Sequence, residues 1–151
     1  MKLTDALLGE HGLFYALFEE LKTKLAQGDD VRPLMDAIGT TLEQHAQIEE
    51  RMLFPALDPH IGEMGPLAVM RDEHRQIDGF LADIRDAADD ADLAPLIHGL
   101  LEVIYSHFQK EEMILFHLAE QFLGEQTLSE LGADWAIERK VNLDTGGCAA
   151  A

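Results

Sequence analysis

One cysteine, Cys148, stands in a chain of 151 residues, and it lies in a Gly/Ala tail. No internal disulfide can form, so a reducing, cytoplasmic address is expected. Basic residues are scarce: 11 Lys and Arg stand against 29 Asp and Glu, a net charge of −18. That balance opposes phosphate backbones and anionic lipid, which removes nucleic acid and membrane surfaces as partners. No apolar run approaches the ~18 residues of a membrane span. Residues 1–10 lack the basic and apolar regions of a signal peptide, and none is expected. Asn-Gly turns and sustained apolar alternation are also missing, which leaves no strand signal.

What is present is helical periodicity over a length suited to one domain. The first stretch runs from Thr4 to Gln27, with Leu7, Leu8, Phe14, Tyr15, Phe18, Leu21 and Leu25 along one face, and Gly28 closes it. The second follows Asp29 and Asp30, takes Pro33 in its first turn, and buries Leu34, Ile38, Leu42, Ile48 and Met52. Pro55 and Pro59 should kink it and then stop it, leaving 58–65 as a loop. Pro66 opens the third, whose face is Leu67, Met70, Ile77, Leu81 and Ile84. Asp89, Asp90 and Asp92 read as an acidic turn before a fourth helix begun by Pro95 and ended by Gly124. Its face is Ile97, Leu100, Ile104, Ile114, Leu115, Leu118 and Phe122. A shorter fifth helix, capped by Thr127 or Ser129, carries Leu128, Leu131 and Trp135. The expected fold is all-α: an up-down-up-down four-helix bundle with a short C-terminal helix over 1–141, and a flexible tail at 142–151.

The second and fourth helices contain matching strings. His45-Ala-Gln-Ile-Glu49-Glu50-Arg-Met-Leu53-Phe54 aligns with His107-Phe-Gln-Lys-Glu111-Glu112-Met-Ile-Leu115-Phe116. The first and third share Glu-His, as Glu10-His11 and Glu73-His74. The offsets, 63 residues from His11 to His74 and 62 from His45 to His107, are nearly equal. A duplicated helical hairpin explains both.

Each long helix also aims one imidazole at the apolar side. His11 sits among Leu7, Leu8, Phe14 and Tyr15, His74 between Met70 and Ile77, His45 between Leu42 and Ile48, and His107 after Ile104. A four-residue step keeps Glu49 on the face of His45 and Glu111 on that of His107. Glu50 and Glu112 are turned ~100° further, toward solvent or a groove, as surface charge or outer support.

Two buried carboxylates cost several kcal/mol each unless paired, and no cation shares their inner faces. A metal pair would use four imidazoles and two carboxylates together. Without thiolates the cysteine type of structural zinc site is excluded, and the oxygen share is too small for calcium or magnesium. Imidazole with carboxylate suits iron, manganese or zinc. With both glutamates bridging and an oxo or hydroxo bridge added, each metal keeps one open position. Iron is preferred, because two redox metals can share the electrons taken by oxygen, peroxide or nitric oxide.

At these residues the chain resembles the hemerythrin-like family, specifically its HHE cation-binding domain. That pattern, a lone His, His-x3-Glu, a lone His and His-x3-Glu, reads here as His11, His45 with Glu49, His74, and His107 with Glu111. Glu-Glu-Arg-Met-Leu-Phe-Pro after His45, Asp-Glu-His-Arg at His74 and Glu-Glu-Met-Ile-Leu-Phe after His107 extend it over about 4–124. The resemblance implies a non-haem di-iron site bridged by Glu49 and Glu111 in a left-handed four-helix bundle. Two departures stand out. Oxygen-carrying members have a further histidine one turn along the third helix, where this chain has Asp78, an auxiliary ligand or a groove carboxylate. His117 replaces the proline of Leu-Phe-Pro and is read as a helix-end or surface residue.

Among the remaining groups, Tyr15, one turn from His11, is a candidate hydrogen-bond partner of the site. His60 and His98 are expected in solvent, and Trp135 is expected to anchor the fifth helix. The functional expectation is a di-iron protein that binds or reacts with dioxygen, peroxide or nitric oxide, in sensing or in defence against oxidative and nitrosative stress. Alternatives are iron storage or delivery and a two-zinc hydrolase, the latter opposed by the lack of a general base.

Overall fold

The computed structural model describes residues 1–62, 64–88 and 90–143, with Asp90 and Ala91 as backbone only. Cys148 and most of the expected tail lie outside the described residues. Helices account for nearly all of the chain, and no strand occurs among the described residues. They are α1 (Leu3–Gln27), α2 (Arg32–Ile48), α3 (Phe54–Ile61), α4 (Pro66–Asp86), α5 (Asp90–Lys110) and α6 (Phe116–Arg139). α1 ends where Gly28 takes the left-handed conformation (φ 73°), and Pro33 and Pro66 occupy first turns, as the punctuation predicts.

Two π-helical turns, Glu49–Leu53 and Glu111–Leu115, join α2 to α3 and α5 to α6 without interrupting the helical path. In them Phe54 N–H donates to the Glu49 carbonyl and Phe116 N–H to that of Glu111. Each turn inserts one residue, so the inner stripe moves one position on. Leu53 is buried where Met52 was expected inside, and Leu115, Phe116 and Ala119 are buried while Ile114 (50% exposed) and Phe122 (40%) face outward. Pro55 follows only the first of the two turns, so proline is not what creates them. Their 62-residue separation repeats the offset of the motifs they contain.

Other boundaries differ from expectation. Residues 58–61 are helical rather than loop, because α3 continues past Pro59 to Gly62 (φ 74°). α5 begins at Asp90 and carries Pro95 inside it, so Asp90 and Asp92 form its first turn. Asp89 lies outside the described residues. The backbone of α6 leaves helical geometry at Gly124 (φ 71°, ψ 170°), and Thr127 and Ser129 are already helical rather than capping. Leu8, expected inside, is exposed.

Among the described residues the packed interior forms two apolar clusters. One gathers Phe14, Phe18, Leu21, Ile38, Leu42, Leu81, Ile97 and Ile104. The other gathers Leu3, Leu7, Ile48, Leu53, Phe54, Leu67, Leu115, Phe116, Leu128 and Trp135. Along α1 the sequence runs Leu7, His11, Phe14, and along α4 Met70, His74, Ile77. The histidines therefore occupy a polar layer between two hydrocarbon plates.

Candidate metal centre

His11, His45, Glu49, His74, His107 and Glu111 are all buried, the two glutamates completely. Their approach is specific. The Nε2 atoms of His11 and His45 lie 3.2 Å apart, and those of His74 and His107 3.1 Å apart. Glu49 places Oε1 3.7 Å from His45 Nε2 and Oε2 3.4 Å from His74 Nε2. Glu111 places Oε2 3.3 Å from His11 Nε2 and Oε1 3.1 Å from His107 Nε2. Each carboxylate thus turns one oxygen to each histidine pair. Donor atoms of His11, His45, Glu49 and Glu111 fall within 4.8 Å of one another, and so do those of Glu49, His74, His107 and Glu111.

The far side of every ring meets another carboxylate. Nδ1 lies 2.9 Å from Glu112 in His11, 2.6 Å from Glu10 in His45, 2.9 Å from Glu50 in His74 and 3.0 Å from Glu73 in His107. An ionised carboxylate only accepts, so each Nδ1 carries a proton and donates it outward. In the neutral ring Nε2 then points a lone pair inward, the arrangement by which outer carboxylates orient metal-binding imidazoles. Two such lone pairs 3.1–3.2 Å apart repel. All four oxygens of Glu49 and Glu111 are without hydrogen-bond partners. Orphaned buried acceptors are rare and costly, and a cation between them removes the cost. The imidazole and carboxylate donors fit iron, manganese or zinc.

Without a cation, protons take up part of that role. Burial pushes the His74 ring toward neutrality, but Glu49, with Glu50 and Glu111, outweighs it and holds its pKa up at about 9. Burial is likewise overcome at His45, chiefly by Glu49, and at His107, chiefly by Glu111, and both are raised. Glu111 is held well below the usual carboxylate range, where His107 overcomes the effect of burial.

Glu50 and Glu112 do not simply face solvent. Glu50 is 46% exposed and Glu112 29%, and each also meets an imidazole Nδ1 at 2.9 Å. Glu112 also accepts from the Tyr15 hydroxyl at 2.8 Å. Burial, then Glu112, raises the Tyr15 pKa, so this phenol remains a donor. Asp78 is exposed beside His74 and lines a cleft of about 380 Å³ with Glu43, Gln47, Glu50 and Arg85. His98 and His117 are exposed, as expected, and His60, helical and exposed, stacks on Phe122.

Sequence reasoning missed the roles of Glu10 and Glu73. Their signal was the repeated Glu-His pair, but their partners lie on other helices. Glu73 also accepts from Lys110. Glu10 accepts from Trp135 Nε1 at 2.9 Å and Arg139 Nε at 2.8 Å. Burial disfavours its charge, but hydrogen bonds from His45 and Arg139 hold its pKa down at about 2.

Residues 2–119 match the model of the hemerythrin HHE cation binding domain. No curated protein and no solved structure matches the chain. The matched span contains all four histidines, both inner glutamates and all four outer carboxylates. With its motifs, paired imidazoles and family match in agreement, the chain belongs to the hemerythrin HHE cation-binding family.

Proposed function

We propose that the chain holds two iron ions, one at His11 and His45 and one at His74 and His107, bridged by Glu49 and Glu111. It uses them to bind or react with dioxygen, hydrogen peroxide or nitric oxide, in sensing or stress defence within a reducing cytoplasm. The observation that carries this reading is the facing of inward Nε2 atoms around four orphaned carboxylate oxygens. The fold that accompanies it is a left-handed up-down-up-down bundle with the helix after Gly124 as a fifth.

When bound, the metal pair supplies electrons to the small ligand. The chain's own groups set the conditions. Outward Nδ1 bonds keep the imidazoles oriented, and with only two inner carboxylates the ligand set carries little charge. Tyr15 keeps its proton on the hydroxyl and donates it to Glu112, bracing His11 from outside. The cleft at Glu50, His74 and Asp78 offers a small molecule an approach to the second histidine pair.

Anaerobic loading with ferrous iron, exposure to air and an optical spectrum test the reading. Two irons per chain are expected, with near-ultraviolet bands of a bridged ferric pair that shift on adding azide, peroxide or nitric oxide. Full loading with a featureless spectrum overturns it, and loading far beyond two irons selects storage instead.

A further inference from the structure

The duplicated hairpins are not equivalent in what holds their outer carboxylates. Glu73, behind His107, is gripped by Lys110, which stands three residues along the same helix as His107. Glu10, behind His45, is gripped from elsewhere: Trp135 and Arg139 reach it from α6, 125 and 129 residues away in sequence. The residue equivalent to Lys110 in the first hairpin is Ile48, which has no charge to offer. The segment that supplies the grip is separately seated. It follows the break at Gly124, buries Leu128, Trp135 and Ala136, and pairs Glu138 with Arg51. At Gly132 it crosses the start of the chain so closely that a Cβ would stand 2.3 Å from the Met1 carbonyl oxygen and 3.0 Å from the Lys2 carbonyl carbon.

We propose that Trp135 and Arg139 are positioning residues for one metal position alone, so that seating of residues 125–139 governs the His11/His45 position and leaves the His74/His107 position untouched. The chain of contacts is short. Trp135 and Arg139 fix Glu10, Glu10 fixes the His45 ring through Nδ1, and His45 Nε2 then faces His11. Freed from α6, Glu10 can turn to water and His45 loses the partner that orients it. Coupling runs both ways: a metal ion on His45 favours the seated segment. This inference rests on the two-metal reading above.

Ferrous-loaded wild type is compared anaerobically with Trp135→Phe/Arg139→Gln, Gly132→Ala and Lys110→Met by the rate of iron loss to a chromogenic chelator. Loss of an outer partner weakens metal binding about 10–100-fold. The double variant and Gly132→Ala should each release one of two irons faster by that factor and the other at the wild-type rate. Lys110→Met should speed release of a single iron, and adding it to the double variant should speed both. In the zinc-loaded double variant, the Nδ1–H resonance of His45 should broaden while that of His107 stays sharp. Should the variants fail to fold, hydrogen exchange of the wild type decides: zinc loading must slow the amides of 125–139 several-fold. Two irons in wild type with unchanged release in all variants, or unchanged exchange, overturns the positioning role alone. A wild type that takes up no iron overturns the two-metal reading and this inference together.

Discussion

Phe108 lies flat on His11, with ring centroids 3.8 Å apart and planes within 12°. Phe108 directly follows His107, so one stretch of α5 presents a candidate ligand to one histidine pair and a wall to the other. Truncating this buried ring should be costly twice over. Phe108→Ala should lose about 3–5 kcal/mol of stability in urea unfolding, and Phe108→Leu a smaller part. In Phe108→Leu the iron at His11 and His45 should dissociate faster while the protein remains folded.

The inner and outer glutamates should separate cleanly in metal content. Glu49→Ala or Glu111→Ala removes an oxygen from both positions, and both irons should be lost. Glu50→Ala removes only the Nδ1 partner of His74, so most iron should stay bound, with affinity at one position down about 10–100-fold. Metal analysis after desalting distinguishes them, and equal content in all three variants would defeat the assignment of bridges.

A metal ion bound here must displace protons from His45, His74 and His107, whose pKa values are raised. His74 is raised to about 9 from an ordinary value of 6.5. In the metal-free protein its contribution to stability is therefore complete below pH 6.5 and fades as pH climbs through 9. Metal affinity should change the opposite way, rising across that window with proton release on binding. Calorimetry of zinc binding in buffers of different ionisation heat, at pH 7 and pH 9, should show fewer protons released at the higher pH.

Glu10 gives the acid limb. Its pKa falls from 4.5 to about 2 in the folded chain, so the stabilisation is fully present above pH 4.5 and disappears as pH falls through 2. Glu10→Gln should cost the metal-free protein about 2 kcal/mol at pH 7, a value reduced by partial solvent screening. The deficit should vanish toward pH 2. A constant deficit in urea titrations from pH 7 to 2 would mean that packing, not charge, holds this contact.

Local periodicity was enough to determine the all-helical class, the facing of four histidines and two glutamates to one interior, and the duplication. The first two depend on steps of three, four or seven residues along one helix, where geometry is nearly invariant, and the duplication on matching strings 62 and 63 residues apart. The π turns escaped that reading because a one-residue insertion has no composition of its own. It shows only in which neighbour is buried, as with Leu53 in place of Met52. Only the tertiary structure decided which carboxylate meets which ring. Glu10 with His45 and Glu112 with His11 join residues 35 and 101 positions apart. Trp135 and Glu10, 125 positions apart, meet for the same reason: helices carry side chains to one another across space, and no spacing within a single helix records that encounter.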